Sequence, residues 1–331
     1  MASPLRFRVS HEGWSEDRFE RDVLRPLDDK FGADVVETER PEGFESRRIR
    51  MDNGDNALFA WNGTGYWLGN TETPEALWRT EKRCFEDVGG GLARWAQMEM
   101  YDVLEREAPW TSDYPLLSWF FLPVLMAKDG RRTTREFFRG GAGFPEASGD
   151  EAMSYYEDVV STGVFDGCRY EMASKLGTGD GEDAVRMAAT MGEFNAAAVL
   201  ADAGYELEAE PAVAGGRRMD YVANGPGAPE GVLVEVTRPS PPRLRGASTA
   251  EGAVRESAVR KRRKGQIADA DGVLMVDCSS MTQDQWERVV DDRPESGHEP
   301  TLFYRVFPGD GVEAYLEGAT RLRLSDAVDW V

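Results

Sequence analysis

The sequence predicts a mixed α/β protein, α+β overall, in which a C-terminal αβββαβ core follows an N-terminal α+β domain with a small antiparallel sheet and a helical region. Three observations support this fold class. Short β-like segments fill the first 70 residues, helical spacing follows from Pro74, and helices alternate with strands after residue 181. We therefore predict an N-terminal domain at 1–145, a helical connector at 146–181 and a second domain at 182–331.

The N-terminal domain begins as one helix packed on a β-meander. Residues 15–31 have the apolar spacing of an amphipathic helix, and Asn53-Gly54 and Asn62-Gly63 are typical of hairpin turns. The predicted strands are Leu5–Val9, Asp34–Thr38, Arg47–Met51, Ala57–Trp61 and Gly65–Leu68.

The rest of this domain has helical spacing. Helices are predicted at Glu75–Val88 and Leu92–Arg106, and the very apolar stretch Pro115–Met126 is predicted to be a buried helix, because it is too short to span a bilayer. Seven of the nine tryptophans precede residue 120. This enrichment favours an aromatic core, although exposed tryptophans can also stack on nucleic-acid bases.

The C-terminal domain has a regular order of elements. Its helices are predicted at Glu182–Ala203, Thr249–Ala268 and Gln283–Asp291. Its strands are predicted at Tyr205–Val213, Arg217–Ala223, Gly231–Thr237, Gly272–Cys278 and Thr301–Phe307. The Gly/Pro turn at 224–227 makes the second and third strands neighbours.

The composition is strongly acidic. Asp and Glu number 60 against 39 Lys and Arg, which gives a net charge of −21. Only six residues are lysines: Lys30, Lys82, Lys128, Lys175, Lys261 and Lys264. Such a composition is typical of proteins from a high-salt cytoplasm, as in halophilic archaea, where an acidic surface keeps the protein hydrated. The net charge is therefore weak evidence against nucleic-acid binding.

Few residues are available for histidine or cysteine chemistry. The two histidines, His11 and His298, make a histidine-based metal cage or catalytic relay improbable. Cys84, Cys168 and Cys278 lack metal-site spacing and indicate a reducing compartment. Without a leader sequence or a long apolar run, we expect a cytoplasmic protein with no membrane partner.

Two acidic residues lie on the neighbouring second and third strands of the C-terminal domain. Asp220 is on the predicted strand Arg217–Ala223, and Glu235 is near the end of the predicted strand Gly231–Thr237. If the two carboxylates meet, they repel each other and lose hydration together, and a divalent cation is the usual reason for such a pair. Alternatively, both side chains face solvent.

Three stretches of this domain, GEFNAAAVLADAGYELEAEP, RRMDYVA and VLVEVTR, resemble the PD-(D/E)XK nuclease superfamily. The resemblance covers roughly 182–280, under a third of a chain that we otherwise assign to a haloarchaeal protein family. It implies a restriction-endonuclease-like fold and metal-dependent hydrolysis of phosphodiester bonds in DNA or RNA, an activity used in DNA repair, recombination and defence. It further implies that Asp220 and Glu235 bind Mg²⁺ or Mn²⁺, and that Glu193 positions the attacking water or holds a second ion.

One feature of the superfamily pattern is missing. The lysine expected two residues after the strand-three acid is replaced by Thr237, which shares the face of Glu235 but carries no charge. Either Lys261 or Lys264 reaches the site from the following helix, or the domain is a degenerate nuclease that only binds nucleic acid or serves in assembly, or the likeness is architectural coincidence. The candidate catalytic residues are thus Glu193, Asp220, Glu235, Thr237, Lys261 and Lys264.

A basic run surrounds this region. Residues 238–264 contain nine Arg or Lys against two Glu, in a chain of net charge −21. Phosphate affinity depends on such local clusters, so we expect nucleic acid to be the partner. The candidate contacts are Arg238, Arg243, Arg245, Arg260, Arg262 and Arg263. The alternative is a basic helix face that docks on the acidic N-terminal domain. The sequence also allows a homodimer, or an enzyme site in the tryptophan-rich first half.

Overall fold

The computed structural model describes residues 4–177, 183–213, 217–240, 249–263 and 272–331. The strands are β1 Phe7–Ser10, β2 Ala33–Val36, β3 Glu45–Met51, β4 Asn56–Trp61, β5 Gly65–Gly69, β6 Glu81–Arg83, β7 Glu206–Ala209, β8 Ala212–Val213, β9 Arg217–Arg218, β10 Tyr221–Gly225, β11 Ala228–Thr237, β12 Gly272–Asp277, β13 Thr301–Phe307, β14 Gly311–Glu317 and β15 Asp329–Trp330.

The α-helices are α1 Glu16–Phe19, α2 Arg25–Phe31, α3 Gly90–Glu107, α4 Pro115–Phe120, α5 Leu122–Leu125, α6 Arg131–Arg139, α7 Gly149–Ser161, α8 Arg169–Lys175, α9 Asp183–Asp202, α10 Ala250–Arg263 and α11 Gln283–Asp292. The protein is therefore mixed α/β, as predicted. None of these helices combines the length and the apolar character that a membrane span requires.

The chain forms two compact units. The first consists of Met1–Arg135 with Arg169–Asp180, and the second of Glu136–Cys168 with Gly181–Val331. The predicted connector, 146–181, is consequently divided between them. Its first part, including α7, belongs to the second unit, whereas α8 belongs to the first.

The first unit is built on an antiparallel sheet with the strand order β2-β3-β4-β5-β1-β6. A helical segment made of α1, a π-helical turn at Glu20–Leu24 and α2 follows β1, as predicted for residues 15–31. Its Phe19 stacks on the rings of Phe59 and Trp61 at 5.5 and 5.4 Å between centroids. Burial of these rings with Val23 fixes the helical segment on the sheet.

The prediction of a helix at Glu75–Val88 was wrong. The chain instead makes a 3₁₀ turn at Glu75–Leu77 and then forms β6, which pairs with β1. The open edge of β1 offers hydrogen bonds that outweigh a weak helical preference. The predicted apolar helix Pro115–Met126 is buried, but it is broken at Phe121 into α4 and α5.

The second unit contains a seven-stranded sheet with the order β15-β14-β13-β12-β11-β10-β7. Strands β7, β10 and β11 are antiparallel neighbours, whereas β11, β12 and β13 run parallel. The order α9-β7-β10-β11-α10-β12 is the one predicted for this part of the chain. The predicted strand Tyr205–Val213 is broken at Glu210, whose φ is 53°, so that β8 leaves the sheet and pairs with β9.

Helices cover both faces of the parallel part of this sheet. On one face, Val254 and Ala258 of α10 and Trp286 of α11 pack on Leu274 and Val276 of β12. On the opposite face, the hydroxyl groups of Tyr221 and Tyr304 donate to the backbone carbonyls of Glu193 and Gly192 in α9. The carboxyl-terminal end of β11 is thus held between α9 and α10, where most of the predicted site residues lie.

Candidate active site at the end of β11

Asp220, Glu235 and Lys261 form one ionic cluster. The Nζ atom of Lys261 lies 2.5 Å from Oε1 of Glu235 and 3.6 Å from Oδ2 of Asp220. Asp220 directly precedes β10, and its Oδ2 accepts a hydrogen bond of 2.7 Å from the backbone N–H of Val236 in β11. This bond fixes the Asp220 carboxylate beside β11, where Lys261 of α10 reaches both acids.

The environment of Glu235 makes its charge unfavourable. The residue is only 1% exposed, and its Oε2 atom has no hydrogen-bond partner within the described structure. Burial, together with repulsion from Asp220, raises the pKa of Glu235 to about 7, although Lys261 acts in the opposite direction. Glu235 therefore carries an unsatisfied carboxylate oxygen at a position where an additional cation would stabilise it.

Lys261 is charged at neutral pH. Burial lowers the pKa of its ammonium group, but attraction by Asp220 and Glu235 outweighs this and raises that pKa above its ordinary value. A lysine of α10 thus contacts both acids, whereas position 237 is a threonine. Lys264, the other candidate, lies outside the described residues.

Thr237 and Glu193 lie beside the cluster. Thr237 is on the same face as Glu235, as predicted, and its Oγ1 is 3.3 Å from Oγ of Ser257 in α10. Glu193 lines a cavity of about 230 Å³ together with Thr237 and Lys261. Across the described ranges, no three Asp, Glu, His or Cys side chains meet closely enough to hold a metal ion, so Glu193 does not complete a three-carboxylate cluster.

Arg238, predicted to contact nucleic acid, instead lies inside the protein. Its side chain is 1% exposed, and its Nε is 3.4 Å from Oδ2 of Asp277, which is fully buried. The guanidinium also donates to Oγ of Ser280 at 2.7 Å and to the backbone carbonyls of Ala188 and Gly143 at 3.2 and 2.8 Å. Because strand alternation directs it away from Glu235, Arg238 anchors the end of β11 to α9.

Asp277 completes a buried polar network that the sequence analysis missed. Its Oδ2 accepts from Nδ2 of Asn195 at 2.9 Å, and Oδ1 accepts from both the backbone N–H and the hydroxyl of Ser279. Asn195 in turn accepts from the hydroxyl of Tyr156 at 3.0 Å. One signal was present in the sequence, because an aspartate that ends an apolar strand requires a buried partner.

Glycine at position 192 permits this network. A Cβ atom there would lie 2.9 Å from Cβ of Arg238 and 3.2 Å from Oδ2 of Asp277. Any larger residue would push α9 away from the Arg238–Asp277 pair. Because Gly192 lets α9 approach Arg238 and Asp277 closely, the next residue, Glu193, lies beside the cavity.

The remaining basic candidates have different surroundings. Arg260 lines the cavity with Lys261 and pairs with Glu256 at 3.3 Å, whereas Arg262 donates to the backbone carbonyl of Gly297. Arg243 and Arg245 lie outside the described residues, as does the side chain of Arg263 at the end of α10. Within the part that is described, the basic run thus contributes three residues to the cavity lining, the buried Arg238 together with Arg260 and Lys261.

Comparison with known proteins gives a family but no activity. No curated protein matches the chain, and no solved structure does so either. One sequence family matches residues 2–324, nearly the full length, and its description states no function. The chain belongs to this Family of unknown function (DUF5784).

Proposed function

We propose that the second unit is a metal-dependent nuclease that hydrolyses phosphodiester bonds of DNA or RNA on a restriction-endonuclease-like core. The observation that carries this proposal is the contact of Lys261 with both Asp220 and Glu235. An acidic pair on adjacent strands with a lysine is the chemistry expected of a PD-(D/E)XK site. Here α10 supplies the positive charge that Thr237 lacks.

The topology of the second unit supports the same proposal. Strands β7, β10 and β11 form an antiparallel meander, and β12 then adds parallel to β11 after the crossover through α10. Helix α9 lies on the opposite face from α10. This arrangement suits the core implied by the sequence resemblance, with Asp220 directly before its second strand, β10, and Glu235 on its third, β11.

The residues fit a hard divalent cation such as Mg²⁺ or Mn²⁺. Asp220 and Glu235 offer carboxylate oxygens, and the partnerless Oε2 of Glu235 is a buried acceptor with unused capacity. These two residues would hold the ion, while Glu193, which lines a cavity with Thr237 and Lys261, would orient the attacking water. When bound, the ion would neutralise the negative charge that develops on the phosphate during hydrolysis.

The protein's own groups would then bind and orient the substrate. The ammonium group of Lys261 can donate to a phosphate oxygen or to the attacking water, since it remains charged between the two carboxylates. Arg260 borders the same cavity and can bind a neighbouring phosphate. The Thr237 hydroxyl is a neutral donor beside them.

Asp220→Asn is expected to lower the cleavage rate at least about a hundredfold, since a charged group that stabilises the transition state is lost while the shape of the side chain is kept. Labelled single-stranded, double-stranded and branched DNA and RNA should be incubated with Mg²⁺ or Mn²⁺ in concentrated KCl. Asp284→Asn, on the exposed start of α11, is the matched control and should cleave like the wild type. Cleavage that persists in Asp220→Asn would reject this site.

Cation binding can be tested without activity. Mg²⁺ should raise the thermal unfolding midpoint of the wild-type protein, because a ligand that binds the folded state stabilises it by mass action. The increase should be absent in Asp220→Asn and retained in Asp284→Asn. An equal increase in all three proteins would show that the ion acts elsewhere.

A second candidate function is non-enzymatic nucleic-acid binding or assembly by a degenerate nuclease fold. The specific observation that favours it is the position of Lys261 Nζ, which already neutralises the two carboxylates in place of a cation. This alternative predicts nucleic-acid binding without cleavage, no thermal shift with Mg²⁺, and unchanged binding by Asp220→Asn.

A further inference from the structure

The first unit has a cavity of about 690 Å³ with an unusual concentration of positive charge. It is lined by three of the six lysines of the chain and by two arginines, against three acidic residues. The basic residues are Arg6, Arg8, Lys30, Lys82 and Lys128, and the acidic residues are Glu72, Glu75 and Asp129. A local excess of two positive charges stands out in a chain with net charge −21.

Two of these lysines are available to a ligand. Lys30 is paired with Glu72, whereas Lys82 and Lys128 have no carboxylate within ion-pair distance in the described part of the chain. Arg6 donates from its Nε to the hydroxyl of Tyr170 at 3.0 Å. Cations at the wall of a cavity that form no close ion pair are suited to bind phosphate.

Trp78 provides an aromatic surface at the same cavity. It is 62% exposed, whereas Trp61 and Trp67 of the same unit are almost completely buried. Its backbone is fixed, because Arg8 Nη1 donates to the Trp78 carbonyl at 2.6 Å and the preceding Leu77 is fully buried in the core. An exposed indole on a backbone held in this way can stack on a flat ring.

A buried hydroxyl in the lining lacks a partner. Thr71 is 4% exposed, and its Oγ1 makes no hydrogen bond within the described structure. Leaving such a group unsatisfied is costly, and native proteins seldom do so without a water or a ligand. The hydroxyl oxygen has almost no accessible surface, so it is an unsatisfied group within the cavity wall and not a direct contact for a ligand.

We propose that this cavity binds a nucleoside phosphate, with the base stacked on Trp78 and the phosphate bound by Lys82, Lys128 and Arg8. Either a nucleic-acid strand or a free nucleotide supplies this nucleoside phosphate, and both present the same chemistry. The proposal does not depend on cleavage at Asp220, since every residue that it uses lies in the first unit.

The test measures binding by the full-length protein. An Asp220→Asn background with EDTA prevents hydrolysis from interfering. Fluorescence anisotropy of a labelled single-stranded oligothymidylate reports binding of a strand, and competition by AMP and by ribose 5-phosphate separates the base from the phosphate. Trp78→Ala should weaken binding about tenfold, since stacking on an aromatic side chain contributes strongly for each base. Trp330→Ala, which removes an exposed tryptophan of the second unit, is the matched control.

The contribution of Lys82 and Lys128 to phosphate binding is tested separately. The double variant Lys82→Gln/Lys128→Gln should bind more weakly and lose part of the dependence on KCl concentration, whereas Arg94→Gln on the exposed face of α3 should change neither. Binding of a fluorescently labelled AMP that is not displaced by unlabelled oligothymidylate would identify a free nucleotide as the ligand and support the proposal. Equal binding by Trp78→Ala and Trp330→Ala, equal competition by AMP and ribose 5-phosphate, or no binding of any probe would overturn it. Unchanged thermal midpoints would establish that the variants are folded.

Discussion

Arg238→Met is expected to lower the free energy of unfolding by about 3–5 kcal/mol, because it leaves the buried carboxylate of Asp277 without its counter-ion. Burial alone would lower the pKa of Arg238, but Asp277 and the Tyr156 hydroxyl more than compensate and raise it. The charge is thus retained in the interior by its partners. The carbonyls of Ala188 and Gly143 lose a donor at the same time.

Denaturant unfolding in KCl, followed by tryptophan fluorescence, measures this loss. Arg260→Met is the matched control, since Arg260 forms an exposed i,i+4 pair with Glu256 that should contribute no more than about 0.5 kcal/mol. Arg238→Lys keeps the charge but cannot reach all four acceptors, so an intermediate loss is expected. A cost below about 1 kcal/mol for Arg238→Met would contradict a buried ion pair at the end of β11.

Glu235→Gln is expected to stabilise the metal-free protein by about 3 kcal/mol above pH 7, since each unit of pKa shift corresponds to about 1.4 kcal/mol. The folded-state pKa of Glu235 is raised from 4.5 to about 7 by burial and by Asp220. Between these two pH values the folded protein therefore binds more protons than the unfolded chain. It follows that the stability of the wild type falls as the pH rises through this window, and that the glutamine variant avoids this part of the loss.

The measurement is the unfolding free energy in EDTA at several pH values from about 4 to 8. The two proteins should be equally stable near pH 4 and diverge as the pH increases. Glu287→Gln, on the exposed face of α11, should follow the wild type throughout. Curves for Glu235→Gln and wild type that stay parallel would show that the carboxylate is not destabilised by its surroundings.

Much of the second unit was predictable from sequence. The run Gly231–Thr237 and the apolar stretch Gly272–Cys278 are β-branched and bounded by turn residues, so pattern and propensity agree there. The segment Glu75–Val88 could not be predicted in the same way. Its apolar spacing is compatible with a helix as well as with a strand. The strand forms because β1, which is distant in sequence, has a free edge with which it can pair.

The candidate site was predictable in part. Strand alternation placed Glu235 and Thr237 on one face, and a lysine from the helix after β11 was one of the alternatives that the sequence left open. Local sequence could not show that Arg238 is buried, because its ionic partner Asp277 lies on the next strand, 39 residues later. It could not show either that Glu193 stands apart from the carboxylate pair.

The division of the chain has a practical consequence for expression of the nuclease-like part. Gly143, Phe144 and Tyr156 precede α9 in sequence, yet the first accepts a hydrogen bond from Arg238, the second lies under its guanidinium at 5.3 Å, and the third donates to Asn195. A recombinant fragment that starts at residue 182 would expose the charged centre of the sheet to water. A fragment that starts at Glu136 keeps those groups covered, although it also carries α8, which belongs to the first unit.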